Sequence, residues 1–146
     1  MKILSIKKPQ EFKKVKDYGR SFASKSLIIG TFSNNVYSNT DNNDQNNKKI
    51  INNIKNCHQP HCRFGIIATK SIGKANKRNF AKRRIRAIIN KIKIESDNLK
   101  LLDQNNDYVI IARKNLIELD FQTIYNDFKY CLKGLKKSKL QNQIKY

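Results

Sequence analysis

Residues 74–94, KANKRNFAKRRIRAIINKIKI, constrain this chain more than any other stretch. Placed on a helix at about 100° per residue, Ala81, Ile85, Ile88 and Ile92 gather into one stripe roughly 60° wide. Arg78, Lys82 and Arg86 are spaced four apart and form a ridge on another face, which Asn79 and Arg83 extend. The two faces are centred roughly 120° apart, so one helix can bury isoleucine on one side and present guanidinium and ammonium groups on the other. Like charges at this spacing destabilise an isolated helix by about a few tenths of a kcal/mol per pair. An anion opposite the ridge removes that penalty, and phosphate accepts a guanidinium in bidentate fashion.

The ridge is the densest part of a longer bias. Between Asp44 and Glu95 there is no acidic residue, and there are fourteen Lys or Arg. Over the whole chain 31 Lys and Arg stand against 11 Asp and Glu, a formal net charge of +20. Such a balance says little about fold and much about partners: nucleic acid first, an anionic membrane second. Lys, Asn and Ile all have A/T-rich codons, so part of the Lys excess follows base composition. Arg position is the cleaner signal, and four of the seven Arg lie between Arg78 and Arg86.

The length suits one domain, residues 1–146, with one modest core. Residues 8–18 read as a short helix with Pro9 in its first turn, Phe12 and Val15 on one face and Gly19 as its stop. Residues 21–32 read as strand, with a break between two strands around Ala23–Ser26. Arg63 to Lys70 reads as a buried strand, Ser71-Ile72-Gly73 as a turn, and Asp107 to Lys114 as a further strand. Residues 120–136 carry Phe121, Ile124, Tyr125, Phe128, Cys131, Leu132 and Leu135 at helical spacing, with Asp120 as a candidate N-cap. The Asn-rich segment 33–62 reads as an insertion, largely disordered or loosely helical. The tail 138–146 is expected to fray. Helix, two or three strands, long helix, strand, helix is an α+β layering of helices on a small sheet.

Three cysteines, an odd number, fit a reducing compartment better than a disulfide scaffold. Cys57-His58-Gln59-Pro60-His61-Cys62 holds four potential zinc ligands, but six consecutive residues lack the usual structural spacing, and a plain loop is the expectation. No apolar run approaches the roughly 20 residues of a membrane span. The expected location is the cytoplasm.

RFGIIATKSIGKANKRNFAKRRIRAII resembles the signature region of the bacterial ribonuclease P protein family. That pattern has a strand ending in Ser-Lys-Lys, then Gly-Asn-Ala, then an Arg-Asn-Arg-x-x-Lys-Arg-x-x-Arg helix. Lys70 falls on the first Lys of the strand end and Gly73 on the Gly. Arg78 and Asn79 match the Arg-Asn pair, and Lys82, Arg83 and Arg86 match the later basic positions. KKPQEFKKVKDYG resembles the family's first helix, with Phe12 on an aromatic position and Gly19 on its closing Gly. DYVIIARK resembles its later strand. The resemblance covers residues 6–32 and 63–136. The chain departs from the pattern at Phe80, which replaces the second Arg of Arg-Asn-Arg; Arg84 is the nearest substitute if the helix face allows it. It departs also at Gly73-Lys74-Ala75, at Thr69-Lys70-Ser71, at Lys16 and Gly30 where aromatics are frequent, and in the long insertion.

The resemblance implies a four-stranded sheet in the order αβββαβα, a two-layer sandwich similar to a ribosomal-protein domain. Its long helix would be a βαβ crossover of the unusual left hand. It implies that the RNA subunit of ribonuclease P is the catalyst, with Mg²⁺ ions held mainly by that RNA activating water, and that the product is tRNA with a mature 5′ end. Lys70, Lys74, Arg78, Asn79, Lys82, Arg83 and Arg86 would then bind the RNA subunit, one protein to one RNA. Phe12, Arg20 and Lys25 would bind the single-stranded 5′ leader of precursor tRNA in a cleft between the first helix and the sheet. No catalytic residue and no metal ligand is expected in the protein.

The alternative is a ribosomal or other structured-RNA binder without a role in cleavage. A DNA-compacting protein ranks third. A membrane-surface helix ranks fourth, because the basic helix lacks a Trp- or Phe-rich apolar face.

Overall fold

The computed structural model describes residues 2–33, 61–95 and 97–144, with side chains to residue 139. In chain order the elements are β1 (Lys2–Ser5), α1 (Pro9–Tyr18), β2 (Arg20–Ala23), β3 (Leu27–Ser33), β4 (His61–Ile67), α2 (Ala75–Ile94), β5 (Asn106–Ala112) and α3 (Phe121–Ile144). Short 3₁₀ turns at Lys70–Ile72, Asn98–Leu101 and Lys114–Ile117 connect them. One sheet runs in the order β1-β4-β5-β3-β2. β1, β4 and β5 are parallel, and β3 and β2 run antiparallel to their neighbours. The α+β class is as expected.

The sheet has five strands where four were expected. β1 is the addition, pairing Lys2 with His61 through Ser5 with Phe64. Four residues with exposed ends carry almost no periodic signal. They become a strand because β4, distant in sequence, supplies the ladder.

Side chains alternate across each strand, so the two sheet faces carry different cores. Cys62, Phe64 and Ile66 of β4 join Leu27, Ile29, Tyr108 and Ile110 beneath α2 and α3. On the other face Ile6, Val15 and Val109, with Phe12, Phe32, Ile67 and Ile111, form a smaller cluster under α1. α2 buries the expected stripe, Ala81, Ile85, Ile88 and Ile92, and also Ile89. Each buried isoleucine stabilises by about 1.5–3 kcal/mol. That is several times the cost of the like-charge pairs opposite, so the helix survives its own ridge.

α1 begins with Pro9, as expected, and Gly19 ends it. Gly19 is in an extended conformation, not the left-handed one. Its constraint is space: a Cβ there would lie 2.4 Å from the Val15 carbonyl oxygen and 2.5 Å from that of Thr31. Between β2 and β3, the Ser24 N–H donates to the Leu27 carbonyl at 2.9 Å and closes the expected break. At the start of α3, the Asp120 carboxylate accepts from the Thr123 hydroxyl, which holds its pKa below the usual carboxylate range.

α3 continues to Ile144, so the backbone of 138–144 is helical where fraying was expected. Arg20 donates to the Leu135 carbonyl at 3.0 Å and to the Ser138 hydroxyl at 2.9 Å, and Lys139 pairs with Asp103 at 3.6 Å. These anchors come from β2 and from the loop before β5, beyond the reach of local periodicity. The inner part of the expected insertion, 34–60, lies outside the described residues, while Ser33 belongs to β3 and His61 and Cys62 to β4.

Candidate nucleic-acid interface

The turn into α2 explains where its cations go. The 3₁₀ turn Lys70–Ile72 buries Ile72, and Gly73 adopts φ +137, a value that only glycine takes readily. Lys74 is the N-cap residue and gives no side-chain cap. The Lys77 N–H donates to the Asn76 side-chain oxygen at 2.9 Å; the start of α2 stands beside the exposed Lys70 and Lys74, an arrangement that favours an anion.

Along α2, Asn79, Arg83 and Arg86 are exposed and Arg78 and Lys82 half-exposed. All seven residues expected to bind the RNA subunit are thus exposed or half-exposed, on α2 and the turn before it. Among the described residues, none of the six cations in this set is in an ion pair; on α2 the one pair is Lys91–Glu95, at the far end, 3.9 Å apart. The Nε of Arg78 is buried with no acceptor. A buried donor without a partner costs about 1–3 kcal/mol, and the Arg78 side chain must turn outward before a phosphate can accept from it.

Arg84 does not substitute for the missing arginine. It turns to the side of the helix and donates to the Leu116 carbonyl at 2.7 Å, with its guanidinium 5.4 Å from the Phe80 ring centroid. The residue replacing the family's arginine is therefore part of a clamp between α2 and the turn after β5. At the other end the Tyr125 hydroxyl donates to Glu95, and Asn98 donates to that hydroxyl at 2.7 Å. The bond from Tyr125 lowers the Glu95 pKa; burial, then that same bond, pushes Tyr125 up to about 12. α2 is thus fastened at two points.

On the opposite sheet face a groove of about 480 Å³ lies between α1 and strands β3, β4 and β5. Val15, Ile67, Val109 and Ile111 line its apolar wall, and Lys13, Lys16, Asp17 and Ser21 contribute polar groups. Phe12 is there as expected, its ring against Gly65. Gly30 is part of the lining; a Cβ on it would lie 3.1 Å from Val15 Cγ1. The other two residues expected at the leader are not in the groove. Arg20 pairs with Thr31 one register step from Ser21, so it faces the other way, onto α3. Lys25 sits at the β2–β3 turn on a separate hollow. Lys13 and Lys16 line the groove instead, and only the seating of α1 on the sheet, absent from any local pattern, reveals that. Of the other aromatics, Tyr18 is exposed, Phe22 packs on α3, Phe32 is half-buried, and Phe64 stacks on Tyr108 at 5.2 Å.

The face under α1 also holds a charged cluster. Arg63 donates to Asp107 through Nε at 2.7 Å and Nη2 at 2.6 Å, and through Nη1 to Glu11 at 2.9 Å. Burial opposes its charge, but the bonds and charges of Asp107 and Glu11 outweigh burial and raise its pKa. Two carboxylates converge here around an arginine. Among the described residues no three His, Cys, Asp or Glu side chains converge as metal ligands would.

Cys57 and His58 lie outside the described residues. His61 and Cys62 are adjacent on β4 and so face opposite sides of the sheet, which prevents both from binding one ion. Cys62 is fully buried, and burial pushes its thiol up to about 12. No helix among the described residues is long and apolar enough to cross a membrane.

Comparison with known proteins yields the same pattern. The ribonuclease P protein component of Limosilactobacillus fermentum is 31% identical over 127 residues, spanning 87% of this chain and 92% of that protein. That of Lactococcus lactis is 32% identical over 130 residues, spanning 89% and 91%. A 2.0 Å structure of the Staphylococcus aureus RNase P protein superposes with a TM-score of 0.60 at 25% identity, covering 88% of this chain and 92% of that one. The Thermotoga maritima RNase P protein, at 22% identity, shares the fold, with a TM-score of 0.60 over 91% and 96%. The ribonuclease P family model matches residues 1–136, the whole span from β1 through most of α3. On that match, with the ridge and groove arranged as described, the chain belongs to the ribonuclease P protein family.

Proposed function

We propose that this chain is the protein subunit of a ribonuclease P in which a separate RNA does the cutting. The observation that carries this reading is the surface of α2: a cationic ridge with no ion pair among the described residues, on a helix clamped by Arg84 and Tyr125. In that role the ridge and the turn Lys70–Lys74 dock on the folded RNA subunit, and phosphates fill the place of the missing anions. The 5′ leader of precursor tRNA lies in the α1 groove, with a base against Phe12 and its phosphates near Lys13 and Lys16. Mg²⁺ held by the RNA activates water for hydrolysis, and the protein's own residues bind and orient the two RNAs. The place of action is the cytoplasm, with one protein per RNA subunit.

Reconstitution tests the proposal. The protein is added to a bacterial ribonuclease P RNA with precursor tRNA at low Mg²⁺. Faster release of the 5′ leader is expected. An unchanged rate, with binding to other folded RNAs of equal affinity, would make the chain a general structured-RNA binder.

A further inference from the structure

Lys25, displaced from the groove, stands in a second basic place. A hollow of about 720 Å³ lies between the β2–β3 turn, the end of β5 and α3, on the side of the sheet away from α1. Lys25, Arg113, Thr123, Asp127 and Tyr130 line it.

Tyr130 is 59% exposed, whereas Tyr108, Tyr125 and Phe128, which are also on this side of the sheet, are almost fully buried. Its ring is held edge-on by Phe22, centroids 5.4 Å apart at 69°. Phe22 in turn packs closely on α3, where a Cβ on Gly134 would lie 2.6 Å from its ring. An aromatic ring is thus braced from below at the edge of a cationic hollow. Arg113 is fixed over the turn by its bond to the Ser24 carbonyl at 2.9 Å. The outer face of α3 continues the charge: Lys133 and Lys137 follow Tyr130 at helical spacing, both exposed, and no Asp or Glu follows Asp127.

Asp127 works against a phosphate placed beside it. Its Oδ2 accepts from the Ser26 hydroxyl at 2.6 Å. A strand in the hollow must therefore turn a base edge, with its N–H donors, toward Asp127 and keep its phosphates on the cations.

We propose that this hollow is a second binding site for single-stranded RNA, separate from the α1 groove. A base stacks on Tyr130 with its amino edge toward Asp127, and the flanking phosphates lie on Lys25 and Arg113. Stacking of a base on an aromatic side chain and a cationic track beside it are the usual elements of such sites.

The test is titration of the full chain with a fluorescent six-nucleotide cytidine RNA, which offers an amino group at every base, while stoichiometry is counted. Two strands per protein are expected. Tyr130→Ala should weaken one of the two sites about tenfold, within the range that base stacking provides. Tyr130→Phe should restore it, and Lys25→Ala should lower the salt dependence of that site alone. Phe12→Ala should affect only the other site. One strand per protein, with affinity unchanged in both Tyr130→Ala and Lys25→Ala, would overturn the proposal. That result leaves the ribonuclease P reading standing, because the groove and the ridge do not depend on this hollow.

Discussion

The Phe12 ring occupies the space that a side chain at Gly65 would need: a Cβ there would lie 2.3 Å from Phe12 Cε1. One glycine on β4 thus sets how closely α1 approaches the sheet and how its aromatic stands in the groove. Gly65→Ala should force the ring and α1 outward, at about 1–3 kcal/mol of overpacking. Urea unfolding measures this. Phe12→Ala in the same chain should relieve much of the cost, giving a clearly non-additive double-mutant cycle.

Arg63 ties β4 to its register partner Asp107 on β5 and to Glu11 on α1. Arg63→Ala leaves two carboxylates buried without their shared cation. Loss of about 3–5 kcal/mol is expected in urea unfolding, the range for breaking one side of a buried pair. Arg63→Lys should recover only part of it, since an ammonium cannot make the forked contact.

Cys62 and Cys131 are buried, and burial raises both thiols. Alkylation of the native protein at about pH 8, near the ordinary thiol value, should leave both unmodified, and urea should open both; peptide mapping by mass spectrometry reads this. The sign for stability follows. An unfolded thiol with a pKa of 9.0 ionises before the native Cys62 at about 12. Its contribution is fully present below pH 9.0 and falls away as pH rises toward 12.

Arg84 lies on the basic helix but serves the protein's interior. Arg84→Ala should cost about 1.5–3 kcal/mol, the range for a hydrogen bond to a charged group. Below its melting temperature, the salt dependence of RNA binding should stay unchanged. A reduced slope would return Arg84 to the interface.

Much of this molecule was legible in its sequence. The stripe Ala81, Ile85, Ile88, Ile92 and the ridge from Arg78 to Arg86 lie on one helix, and helical periodicity separates them without knowledge of the fold. What was missed depended on partners far along the chain. β1 exists because β4 pairs with it. Arg20 left the groove because strand register turned it onto α3. Arg84 was claimed by carbonyls at Leu116 and Ile117 that no local pattern marks. Lys13 and Lys16 entered the groove because Gly19, Gly30 and Gly65 let α1 lie close to the sheet.

The ridge of α2 is tested most directly by the affinity for a ribonuclease P RNA as a function of salt, measured for the wild type and for the Arg83→Ala/Arg86→Ala double variant. Each arginine that neutralises a phosphate contributes about one unit to the logarithmic salt slope, so the double variant should be shallower by about two. Parallel slopes, with the double variant folded and as stable as the parent, would place the RNA on some other surface and contradict the assignment of α2.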